Sequence, residues 1–107
     1  MAILSVWASF FPPEAAVEGR ELIEAIWLDD MPSFDGYVSN ELIEDVDDAG
    51  HLLVVSEWAS REDADDSLRI YAGHPNAQRV NQLVTRPRTR FIGSRVRRME
   101  CPASSKE

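Results

Sequence analysis

The sequence holds a single cysteine, two histidines and no apolar run long enough to span a membrane. Cys101 by itself excludes an intrachain disulfide and any metal cluster built from thiolates, which fits a reducing, cytoplasmic setting. There is no Gly-rich phosphate loop, no Ser-His-Asp or Cys-His arrangement and no His and Asp set at metal-ligand spacing. Nucleotide, flavin and metal sites are therefore not implied, and the expected cofactor is none. The acidic group Asp45, Asp47 and Asp48 lacks the Gly and terminal Glu of a calcium loop and reads as a solvated turn. Cations are scarce as well: eleven stand against nineteen acidic residues, for a net charge of -8, which disfavours nucleic acid and anionic membranes as partners. The apolar opening from Met1 to Pro13 has no Lys or Arg ahead of it, so a strand is expected there rather than a signal segment.

What is present is enough for one folded domain. Of 107 residues, 44% are hydrophobic and 28% charged, too apolar for a disordered chain. One domain over residues 1–99 is expected, followed by a disordered tail over 100–107. Ile3 to Phe10 is rich in β-branched and aromatic residues and stops at Pro12, which predicts a first strand. From Glu14 the apolar positions Ala15, Gly19, Leu22, Ile23 and Ile26 take up helical spacing, predicting a helix to Asp29 or Asp30. A loop with Pro32 and Gly36 follows, then a hairpin of Tyr37 to Val46 and His51 to Trp58 around an Asp-rich turn. Ser60, with Asp63 three residues on, caps a helix carrying Ala64, Leu68, Tyr71 and Ala72, and Pro75 starts a short further helix. Arg88 to Met99 is the expected last strand, with a break at Gly93 and Ser94.

Strand, helix, strand, strand, helix, strand is the split βαβ order, so the expected class is α+β: a ferredoxin-like βαββαβ chain with a four-stranded antiparallel sheet and its helices on one face. Two strands are apolar on both sides, however. Leu4, Val6, Ala8 and Phe10 oppose Ile3 and Trp7, while Leu53 and Val55 oppose Leu52, Val54 and Trp58. Helices cover one face, and a second copy of the same sheet is the economical cover for the other, which predicts a homodimer. Six of the eleven cations, Arg86, Arg88, Arg90, Arg95, Arg97 and Arg98, fall within thirteen residues. That segment admits two readings, a strand edge kept soluble by charge or a small-anion site.

The acidic first helix, the stretch "PSFDGYVSNELIEDVDDAGHLLVVSEWASREDA" and the following "AGHPNAQ" resemble the antibiotic biosynthesis monooxygenase family of dimeric α/β barrels, over about residues 3–97. The most specific elements are the Gly36 loop, the Asp47 and Asp48 turn, "EWAS" at Glu57 to Ser60, and His74 with Pro75. The resemblance implies a sheet-to-sheet dimer with a pocket between sheet and helices. It also implies a cofactor-independent monooxygenase acting with dioxygen on a quinol, an anthrone or a related polyketide-like aromatic. A strand-end Trp of such oxygenases matches Trp58, whereas their Tyr and Asn partners are Ala64 and Val54 here. The haem-degrading branch has an Asn in the first strand and a Trp in the second helix, and this sequence has neither.

An oxygenase without metal or flavin makes its substrate the reductant, which requires an apolar cavity, a base and donors for the substrate anion. The expected catalytic residues are His74 as the base, Asn40 as a hydrogen-bonding group and Trp58 at the mouth of the pocket. Aromatic walls are expected from Trp7, Phe10, Trp27, Phe34 and Tyr71, each of which also reads as plain core. Two other functions remain open on the sequence: a non-catalytic binding or accessory dimer, and a proton-transfer isomerase or cyclase.

Overall fold

A computed structural model describes residues 2–101. The elements are β1 (Ile3–Phe10), α1 (Ala16–Ile23), β2 (Tyr37–Asp45), β3 (Asp48–Trp58), α2 (Arg61–Tyr71), α3 (Pro75–Leu83) and β4 (Thr89–Ser94). The four strands form one antiparallel sheet in the order β2-β3-β1-β4, the ferredoxin-like α+β arrangement expected from the sequence. Among the described residues no helix is long and apolar enough to cross a membrane.

The first helical stretch is a composite. A 3-10 turn (Pro13–Ala15) leads into α1, which continues as a π-helical segment (Glu24–Asp30) and a second 3-10 turn (Met31–Ser33). The wide turn is visible at its end, where the Met31 N–H donates to the Ile26 carbonyl five residues back. Ile23, Ile26, Trp27 and Met31 all point into the core, each no more than 3% exposed. Close by, the Phe11 ring lies over Gly19, where a Cβ would stand 2.5 Å from it.

Gly36 turns the chain into β2 with φ of +78°, and a Cβ there would collide with Asp63. The carbonyl of Gly36 accepts from Ala59 N–H at 2.7 Å, which ties this loop to the start of α2. Ser60 caps α2 as expected, its Oγ accepting from Asp63 N–H at 3.1 Å. Val46 and Asp47 make the hairpin tip, and the Asp45 Oδ1 accepts from Asp47 N–H at 2.8 Å.

β3 starts at Asp48, three residues before His51, and β4 is shorter than the expected Arg88 to Met99. The physical reason for the second difference lies in the pairing: β4 bonds only to β1, and Ser94 already faces Ile3 where β1 begins. Residues 95–99 pair with no strand among the described residues and leave the sheet. The part of the expected disordered tail over 102–107 lies outside the described residues.

Along β3 burial alternates strictly. Leu52, Val54, Ser56 and Trp58 are buried beneath the helices, whereas Leu53, Val55 and Glu57 are only partly covered. β1 follows the same rule, with Ser5 and Ser9 on the covered face. The two-sided apolar pattern in the sequence therefore maps onto two real faces, only one of which the helices of this chain cover.

Candidate active site

At one end of α3 the end of α2 and the π-helical segment of the first helix come together. His74 caps α3, its Nδ1 accepting from Asn76 N–H at 3.0 Å, because Pro75 sets the first turn and leaves that amide without a partner in the helix. The His74 ring stacks on Tyr71 with centroids 4.4 Å apart and an interplanar angle of 11°. Phe34 tilts against Tyr71 at 6.2 Å. These three rings, with Asp29, Asp30, Ser33 and Ile70, line a cleft of about 420 Å³.

The Tyr71 hydroxyl donates to the Asp30 carboxylate. Burial, reinforced by that carboxylate, pushes the Tyr71 pKa up to about 12, so the phenol stays protonated across the neutral range and holds Asp30 in place. In neutral His74 the bond to Asn76 N–H commits Nδ1 as an acceptor, which leaves Nε2 carrying the proton. The ring thus presents a donor, not a base, toward solvent. A neighbouring cleft of about 340 Å³ shares Ser33, Phe34 and Ile70 and adds Asp35, Asp63 and Asp66, so this end of the molecule is strongly acidic. Among the described residues no three His, Cys, Asp or Glu converge as metal ligands would.

The residues singled out from the sequence fall into three groups. His74, Tyr71 and Phe34 meet in the cleft. Trp58 and Trp27 are 1% and 3% exposed inside the core, and none of the clefts described here includes Trp58, so the pocket-mouth position expected for it is held by Phe34 and Tyr71. Trp58 meets Tyr37 edge to face at 5.9 Å. Asn40 works between sheet and helix: its amide donates to the Trp27 carbonyl and accepts from Ser56 Oγ. Because Trp27 belongs to the π-helical segment, Asn40 fixes the stretch of chain that carries Asp30. Trp7 and Phe10 lie away from this site, toward the other end of α3, beside Arg88 and Arg86.

Asp30 is the residue that sequence reasoning missed. It looked like one of several solvated carboxylates where a helix stops. The available signal was Tyr71, since a tyrosine on the buried stripe of a helix needs an acceptor for its hydroxyl.

No family model matches the chain, and no curated protein matches its sequence. Solved structures do match. A cofactor-independent oxygenase from Streptomyces nogalater, SnoaB, superimposes with a TM-score of 0.80 at 13% identity, covering 92% of this chain and 96% of that one. Rv0793 from Mycobacterium tuberculosis gives 0.74 at 22% identity over 94% of this chain and 100% of its own. A protein described as an antibiotic biosynthesis monooxygenase gives 0.70 at 19% identity over 89% and 99%. The chain has the fold of the antibiotic biosynthesis monooxygenases.

Proposed function

We propose that this chain is a cofactor-independent monooxygenase acting on an electron-rich aromatic small molecule, a quinol, an anthrone or a related polyketide-like compound, with dioxygen as the second substrate. The observation that carries the reading is the cleft in which Phe34, the stacked pair of Tyr71 and His74, and the Asp30 carboxylate face one space. A planar substrate fits against the rings. Its acidic hydrogen passes to Asp30 while the Nε2–H of His74 donates to the developing oxyanion, so that negative charge does not stand alone among the surrounding aspartates. The substrate anion then gives one electron to dioxygen, and recombination yields a peroxide. For an anthrone, loss of water from the hydroperoxide leaves a new carbonyl, with one oxygen atom retained and the other in the water. Asn40 and Trp58 act from behind the cleft, the first by holding the π-helical segment and the second by filling the core beneath it.

The protein works as a homodimer in this reading, packed through the sheet face that the helices leave open. Partly covered Leu53 and Val55 and 68% exposed Phe91 support that arrangement. Its setting is the reducing cytoplasm, which rests on the lone cysteine. A non-catalytic binding dimer is the second reading, favoured by the commitment of His74 Nδ1 to a helix cap. The test is oxygen uptake in a sealed cell with quinols and anthrones, using denatured protein as the autoxidation control. Uptake that falls at least tenfold in Asp30→Asn supports the oxygenase, and tight binding without uptake supports the second reading.

A further inference from the structure

The opposite end of α3 carries a second cleft, of about 580 Å³, whose chemistry is the reverse of the acidic one. Trp7, Asn81, Thr85, Arg86 and Arg88 line it. Arg20, Arg61, Arg69, Arg79, Arg90, Arg95 and Arg98 each face a carboxylate. Among the described residues Arg86, Arg88 and Arg97 face none, although the chain has eight more acids than bases, and of these three Arg86 and Arg88 share a cleft. Their guanidinium groups lie over aromatic rings instead, Arg86 at 3.8 Å from the Phe10 centroid and Arg88 at 5.4 Å from that of Trp7.

Arg88 has given up much of its water, and burial pulls its pKa below the usual arginine range. Its Nε donates to Asn81 Oδ1 at 3.2 Å, which orients the group and leaves the terminal amino groups without a side-chain partner among the described residues. A partly buried cation with no counter-charge costs solvation energy that an arriving anion would return. The backbone here offers no run of adjacent free amides to such an anion, because Pro87 stands between Arg86 and Arg88. Val84 and Thr85 N–H already donate to Val80 and Phe10 carbonyls, and Pro87 has no N–H. The site therefore meets its ligand with planar guanidinium forks and ring faces and not with the nest of amides that suits phosphate.

We infer that this cleft binds a planar aromatic carboxylate, its carboxyl group on Arg88 and Arg86 and its ring beside Trp7 and Val84. The volume, about 580 Å³, has room for a molecule of two fused rings with space to spare. This site stands apart from the oxygenase cleft, which α3, nine residues long, separates from it by roughly 13 Å at the helical rise.

The test is calorimetric titration of the intact protein with 2-naphthoate and with 2-naphthamide, its uncharged isostere, in parallel with Arg88→Gln and Arg86→Gln. Naphthoate should bind at least tenfold more tightly than the amide, and each variant should lose at least fivefold in naphthoate affinity while its affinity for the amide holds. Arg86 is exposed, so Arg86→Gln tests the site even where Arg88→Gln unfolds. Equal binding of acid and amide overturns the inference, as does unchanged naphthoate affinity in Arg86→Gln. Displacement of naphthoate by equimolar inorganic phosphate also overturns it, because the site would then be a general anion site.

Discussion

The two faces of the sheet differ in cover more than in composition. The face under the helices sets Ser5, Ser9 and Ser56, all 3% exposed or less, and Asn40 among Trp7, Leu52, Val54 and Trp58, while the face without helices carries Leu4, Val6, Phe10, Leu53, Val55 and Phe91. Two of these polar groups, Ser56 and Asn40, pair with each other and with the helix. Ser56 Oγ donates to Asn40, and Asn40 donates to the Trp27 carbonyl, so the row joins sheet to helix rather than weakening the core. The aliphatic face has no comparable explanation within one chain. Being apolar and being covered are separate properties, and the open apolar face is the one that the proposed second copy would cover.

The comparison can be broken at its strongest point first. Trp58→Ala on the covered face should cost about 3–5 kcal/mol in urea denaturation, as large-to-small changes at buried aromatic positions do. A loss under about 1 kcal/mol would mean that this face does not carry the fold. On the open face, Val55→Asp should raise the dimer dissociation constant at least 100-fold, roughly 3 kcal/mol, in sedimentation equilibrium, with the circular dichroism spectrum unchanged. A wild-type monomer at micromolar concentration would remove the contrast altogether. Asn40→Ala should cost about 1–3 kcal/mol by leaving the Trp27 carbonyl and Ser56 hydroxyl unpaired, and hydrogen exchange should quicken over Glu24–Asp30 before it does in β1.

The smallest effect is expected at the cleft. Tyr71→Phe should cost about 1 kcal/mol by removing the donor to Asp30. It also carries a pH signature. The folded pKa of Tyr71 is raised from 10.0 to about 12, so its contribution is complete below pH 10 and is lost as pH rises from 10 toward 12, where the unfolded chain ionises first. The Phe variant should lack that alkaline decline in a denaturation series. An identical decline in both proteins would show that the hydroxyl is not held as described.

Much of the fold was legible because local chemistry and tertiary demand agree. Gly36 has the positive φ that a loop glycine suggests, and Ser60 caps α2 with Asp63 as the spacing implied. The π-helical segment was not legible, since Ile23, Ile26 and Trp27 satisfy an apolar stripe whether the turn between them is tight or wide. The end of β4 was hidden for a different reason: Val96 and Met99 read as a continuation of the strand, but the pairing of β4 with β1 ends at Ser94 and Ile3. At the site, Phe34, Tyr71 and His74 stood out by type. Asp30 did not, because a carboxylate at a helix end becomes informative only once its partner, 41 residues away in sequence, is known.

The wide turn in the first helix also has a bearing on how such a protein can change over generations. A π turn holds one more residue than an α-helical path would need, so this stretch can be altered by length as well as by substitution. Removing a single residue between Ile23 and Asp30 would let the segment wind as ordinary helix while the chain on either side of it keeps its course. Ile23 upstream and Met31 downstream would keep their places in the core, while the side chains between them would be redistributed around the helix. One codon can therefore change which side chains stand at this end of the cleft while the core on both sides of the segment stays as it is.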